Sequence, residues 1–231
     1  MSGKSKKYRA GSEKIESGRA YSLTEAVALL KQVVSARFNE TIELVSRLGI
    51  EPRHSEQLVR GTVKLPHGTG KKVRILVFCK PDLVEEAKAA GADYAGGKEL
   101  VEKIQGGWLD FDVAVAERSM MRDISRLGRV LGPRGLMPSP KAGTVTDDIP
   151  GTVEEVKAGK IEFKTDKFGN VQVSVGKASF SEKDLIENIQ TVMAEINRLR
   201  PASTKGRYIR KLYLSSTMSP SIQLDSGNLE I

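Results

Sequence analysis

Apolar residues between Tyr21 and Phe38 recur three and four positions apart. Ala26, Leu29, Leu30, Val33 and Val34 share one face of a 3.6-residue period, and Ser22 and Glu25 stand at capping-box spacing, which predicts a helix. The period then drops to two. Ile42, Leu44 and Leu48 point one way and Thr41, Glu43 and Arg47 the other, as in a strand with one face on a core and one in solvent. The stretch QLVRGTVKLP is expected to be that strand's partner. PHGTGKK then breaks the pattern as a flexible joint.

From residue 73 the pattern differs. VRILVFC is a short continuous apolar run, as in a strand buried on both faces. Pro81 and Asp82 open a helix that Gly91 ends. ELVEKIQGG reads as a helix, FDVAVA as a second buried strand and SMMRDISRLGRVLG as another helix. Alternating strands and helices predict a parallel sheet with crossover helices. After residue 158 the first style returns. KIEFKT and NVQVSV flank DKFG, a hairpin signature in which Gly169 is able to take positive φ. Ser181 and Asp184 cap a helix with Ile186, Ile189, Val192, Met193 and Ile196 inward, and RYIRKLYLSSTM is a last strand. The fold class is therefore α/β (α+β) with two domains. Residues 1–68 and 159–231 form one discontinuous α+β domain, and residues 69–158 form an inserted parallel α/β domain. One continuous sheet is the rival arrangement.

Composition narrows the function. The chain has 231 residues, 39% hydrophobic and 29% charged, with a net charge of +8 that favours a polyanionic partner, nucleic acid before an anionic membrane surface. The lone cysteine, Cys79, lies inside an apolar run and reads as a core thiol in a reducing compartment. No apolar run is long enough to cross a bilayer, and the basic N-terminus lacks the apolar stretch of a signal peptide, so a cytoplasmic protein is expected. That N-terminus reads as a disordered arm or as one that touches phosphate.

Catalytic signatures are missing. AGADYAGGKEL resembles a phosphate-binding loop, but Glu99 stands where a hydroxyl residue should hold magnesium. There is no Cys/His metal cluster and no Ser-His-Asp set, and Asp147 and Asp148 read as a solvated turn. No cofactor and no metal are expected. A phospholigand enzyme on the central domain is the alternative reading.

Binding chemistry is better represented. Folded RNA calls for cations at phosphates, hydroxyls at the 2′-OH and flat or soft side chains at bases. Arg37 and Phe38 end the first helix, with Thr41, Glu43 and Arg47 following on the strand. Lys164, Asp166, Lys167 and Phe168 cluster at the hairpin, and Ser215, Ser216, Thr217 and Met218 end the last strand. A further basic loop, RVLGPRGLMPSPKAGTV, carries Arg134 and Lys141. It reads either as a secondary phosphate contact or as a rigid turn completing the central sheet.

Six segments in order carry a resemblance: RFNETIELVSRLGI, VRGTVKLPHGTGK, GADYAGG, GRVLGPRGLMPSPKAGTV, IEFKTDKFGNVQVSVGKASF and SSTMSPSI. The chain resembles the ribosomal protein one family of the bacterial large subunit. The resemblance implies an RNA-binding domain built from both termini with an inserted Rossmann-like domain. It implies binding to 23S rRNA as the mobile stalk near the exit site, help in releasing deacylated tRNA, and repression of the protein's own operon mRNA. It also implies a monomer off the ribosome with no membrane partner. It places RNA contacts on Arg37, Phe38, Thr41, Asp166, Lys167, Gly169, Ser216, Thr217 and Met218. The family usually has glycine after the Thr-Met pair, where Ser219 stands here. It usually has lysine at Arg37.

Overall fold

The computed structural model describes residues 5–225 and residue 227. In chain order the helices are α1 (Lys6–Glu13), α2 (Leu23–Val33), α3 (Val84–Ala89), α4 (Lys98–Gln105), α5 (Met121–Ile124), α6 (Gly128–Leu131), α7 (Ile149–Lys157) and α8 (Glu182–Arg198). The strands are β1 (Thr41–Leu48), β2 (Arg60–Lys64), β3 (Ile75–Phe78), β4 (Tyr94–Gly96), β5 (Val113–Ala116), β6 (Lys160–Lys164), β7 (Asn170–Lys177), β8 (Ile209–Ser216) and β9 (Ile222–Leu224). The chain divides into two compact units. One runs up to Gly70 and resumes at Ile161; the other is Lys71–Lys160.

The first unit is built on an antiparallel sheet in the order β7-β1-β8-β9. Ile42, Leu44, Ser46 and Leu48 of β1 point inward with Val171, Val173 and Val175 of β7 and Leu212 and Leu214 of β8. Val27 and Leu30 of α2 and Ile189, Val192 and Met193 of α8 bury against that face, each fully buried aliphatic contributing about 1.5–3 kcal/mol. Both helices start at capping boxes, Ser22 with Glu25 and Ser181 with Asp184. The N-terminal stretch is helical from Lys6. Its Lys7 and Lys14 donate to the carbonyls of Ser35 and Gln32 at the C-terminal end of α2, which accounts for two cations that a free arm would have kept for phosphate.

Two expected pairings are replaced. β2 is not the partner of β1; it pairs with β6 in a separate two-stranded sheet. Both edges of β1 are taken by β7 and β8, whose inward alternation matches its own. β2 buries only Val63 within its five residues, and its Gly61 comes so close to Leu199 and Phe163 that a Cβ would lie 2.4 Å from Leu199 Cδ1. The DKFG turn forms with Gly169 at φ +81°, but only Thr165 and Val171 bridge across it before β6 and β7 part to different sheets. The joint PHGTGKK is anchored in its first half: buried Asn188 of α8 accepts from the His67 amide and donates to the carbonyls of Gly68 and Val175.

The second unit holds a parallel sheet in the order β4-β3-β5. Alternate residues of β3 feed two cores. Leu76 and Phe78 pack with Leu100, Ile104, Ile124, Leu127 and Leu131; Ile75 and Val77 pack with Ala87, Val153 and Val156. The helix expected over residues 119–132 is a chain of short α and 3-10 turns. The buried spacing of Ile124, Leu127 and Leu131 is helical, but the Ser125 hydroxyl donates to the Arg122 carbonyl and Gly128 interrupts the run. No described helix is long and apolar enough to span a membrane.

Candidate nucleic-acid interface

The outer face of the first unit's sheet carries Thr41, Glu43, Val45 and Arg47 from β1. β8 sets Ser215, Tyr213 and Lys211 opposite Glu43, Val45 and Arg47. Arg47 thus faces Lys211 directly across the strands. Both are exposed, and neither has an acidic or hydrogen-bonding partner among the described residues. Like charges in register destabilise a sheet unless something anionic lies over them.

At the Thr41 end, two loops meet on one buried carboxylate. Glu40 is fully buried, and its oxygens accept from the Ser35 amide (3.2 Å), the Ala36 amide (2.9 Å), the Met218 amide (2.9 Å) and the Ser216 hydroxyl (2.6 Å). Burial would raise this carboxyl; the four donors outweigh it and hold it below the usual carboxylate range. The result is a fixed rim. Phe38 (56% exposed) and Met218 (58% exposed) stand out from it, with Arg37 exposed beside Phe38 and unpaired. Both large apolar side chains are left in solvent beside loop backbone that Glu40 fixes.

The hydroxyls of this rim are already engaged. Ser216 is buried and spends its hydroxyl on Glu40. Thr217 Oγ1 accepts from the Thr41 amide at 3.1 Å, while Thr41 Oγ1 accepts from Lys177 Nζ at 2.7 Å. Ser219 closes the turn. Its amide donates to the Ser216 carbonyl at 3.2 Å and its hydroxyl accepts from the Ser216 amide at 2.9 Å. No described non-glycine residue has positive φ, so the turn needs no glycine at 219.

Gly169, Asp166 and Lys167 lie at the opposite end of β1, where the Leu48 amide donates to the Gly169 carbonyl. Six strand steps from Thr41 to Arg47 separate the two ends by roughly 20 Å. Asp166 organises this turn: Oδ1 accepts from the amides of Phe168 and Asn170 at 2.8 Å, and Oδ2 from the Asn170 side chain at 2.9 Å. Burial raises its carboxyl, and the bonds from Asn170, Phe168 and Gly169 outweigh that and bring it below its ordinary value. Phe168 is 68% exposed with Lys167 Nζ 5.2 Å from its ring centre, leaving both a cation and a ring outward. Lys164 lies apart on β6, exposed and unpaired.

Arg37, Phe38, Thr41 and Ser216–Ser219 therefore gather at one rim of the open sheet and Asp166, Lys167 and Gly169 at the other, with Arg47 on the face between them and Lys164 outside that sheet. Between the two rims Lys211 and Tyr213 were not anticipated, nor was Glu40. An acidic residue just before a strand was the only sequence signal for Glu40, and it does not distinguish a buried organiser from a solvated charge. In the second unit Arg134 and Lys141 are both exposed and unpaired. There the Gly97 amide donates to Glu99 Oε1 at 3.4 Å, so a carboxylate occupies the loop that resembled a phosphate cradle. Burial and then Glu117 push the Cys79 thiol up, which suits a core residue.

An open antiparallel sheet with cations across its face and rings at its rims carries the kinds of group that folded RNA calls for. The model of the Ribosomal protein L1p/L10e family matches residues 29–220. The chain is 53% identical over 225 residues to the large ribosomal subunit protein uL1 of Kosmotoga olearia, covering 97% of each. It is 54% identical over 227 residues to the protein of the same name from Beutenbergia cavernae, covering 98% of this chain and 95% of that one. The Protochlamydia amoebophila protein of that name is 52% identical over 221 residues, covering 96% and 94%. The chain belongs to the ribosomal protein L1p/L10e family.

Proposed function

We propose that this protein is a non-enzymatic constituent of the large ribosomal subunit whose first unit grips 23S rRNA on the outer face of its sheet. The observation that carries the reading is the run of unpaired cations Arg37, Arg47 and Lys211 between exposed rings at both ends. The Arg47–Lys211 juxtaposition favours a polyanion laid over it, and Phe38, Phe168 and Met218 suit unstacked bases. Glu40 and Asp166 act as positioning residues that fix the two rims. The names and close identity of the relatives support assembly with the large subunit in the cytoplasm.

Three finer roles complete the proposal. The protein helps deacylated tRNA leave the exit site, with Arg134 and Lys141 of the second unit offering secondary phosphate contacts. It represses its own operon mRNA through the same sheet face. It is a monomer off the ribosome. The test is to add the full chain to large subunits stripped of their own copy, then follow tRNA dissociation. Uptake with faster dissociation is expected. Uptake without any change removes the exit-site role, and no uptake overturns the rRNA reading. Competition between operon leader RNA and rRNA fragment for the chain tests repression.

A further inference from the structure

A cavity of about 280 Å³ opens at the β9 corner of the same sheet. Its floor is Tyr213 and Gln223, cross-strand neighbours on the outer face. Its walls are Pro220 and Ser221, directly after the Met218–Ser219 turn, together with Ser12 in the last turn of α1 and residues 15–19 beyond that helix. The pocket is therefore continuous with the surface proposed to bind RNA. Its volume falls just below that of drug-sized ligand sites, about 300–1,000 Å³.

The neutral polar side chains that line this space are uncommitted. The hydroxyls of Ser12, Ser17, Ser221 and Tyr213 and the amide of Gln223 have no hydrogen-bond partner among the described residues. The charges are not uncommitted: Arg19 pairs with Glu16 at 3.2 Å and Glu25 at 3.7 Å, and Glu16 itself lines the cavity. A compensated arginine beside a carboxylate gives a poor site for a bare phosphate. An aromatic floor ringed by neutral donors and acceptors suits a flat, neutral heterocycle with hydrogen-bonding edges.

We propose that this pocket receives one unpaired base of the bound RNA, stacked on Tyr213 and read at its edge by Gln223 and the serine hydroxyls. The inference rests on the RNA-binding reading above. The experiment titrates the full chain with a 23S rRNA stalk fragment, using Tyr213→Ala, Tyr213→Phe and Ser17→Trp. The last fills the cavity from an exposed position and leaves the sheet untouched. Tyr213→Ala and Ser17→Trp are expected to lower affinity about fivefold to a hundredfold, as loss of one base–aromatic stack does. Tyr213→Phe should retain most of it. The slope of affinity against salt should not change, because no phosphate contact is lost. Replacing unpaired nucleotides of the fragment one at a time by abasic residues should find one at which the Tyr213→Ala loss disappears. Wild-type binding with unchanged Tyr213→Ala and Ser17→Trp affinities overturns the pocket and leaves the RNA reading standing. Absence of wild-type binding overturns the RNA reading itself.

Discussion

Glu40 shows how one side chain can fix a rim of the proposed RNA surface from beneath it. It satisfies amides on both sides of the rim, so its removal orphans buried donors. Glu40→Ala should destabilise the fold by about 1–3 kcal/mol in chemical denaturation and weaken RNA binding with it. Its carboxyl lies below the usual range when folded. A depressed folded value contributes stability above the unfolded value of about 4.3, and that contribution disappears as pH falls through the lower folded value. Stability should therefore fall on acidification below about pH 4.3, and Glu40→Gln should flatten that part of the profile. Phe38 behaves in the opposite way. Its ring is mostly in solvent, so Phe38→Ala should leave the melting temperature unchanged while RNA affinity drops by about 1–3 kcal/mol. A lower melting temperature with intact affinity would place the ring in a structural role. The sequence marks Phe38 by its company of cations, but it leaves core and surface equally open, because the helix stops at Val33 and periodicity says nothing of a loop residue.

At the scale of elements, what was legible is what is local. The two capping boxes, the alternation in β1 and the buried run of β3 each depend on residues a few positions apart, and each formed where expected. What was illegible depends on pairing across the chain. β2 meets β6 about a hundred residues later, and Ser216 reaches Glu40 across 176 positions. The short β4 and β9, of three residues each, lie below what a two-residue period can reveal. Lys211 was hidden for a related reason: register, not sequence, sets it against Arg47. That juxtaposition makes a stability–binding trade. Lys211→Ser should hold or raise the melting temperature at low salt, and should lessen the salt slope of RNA binding by about one unit. The Asp166 turn is an element-scale device too. Gly169→Ala places a side chain at φ +81° and should cost roughly 1–2 kcal/mol, with a weaker second rim.

For the whole molecule, the net charge of +8 raises a question that no single residue answers: charge alone would attract any RNA. A surface built for one RNA differs in its response to salt. Charge contacts are lost as salt rises, whereas stacking on fixed rings and fit to the open sheet persist. The most direct measurement is a titration of the full chain with its own 23S rRNA stalk fragment at several salt concentrations, beside an unrelated structured RNA of equal length. The expected result is tight stalk binding that persists as salt rises while the control falls away. Equal and equally salt-sensitive binding to both RNAs would contradict the account, because it would leave only the positive charge as the source of binding.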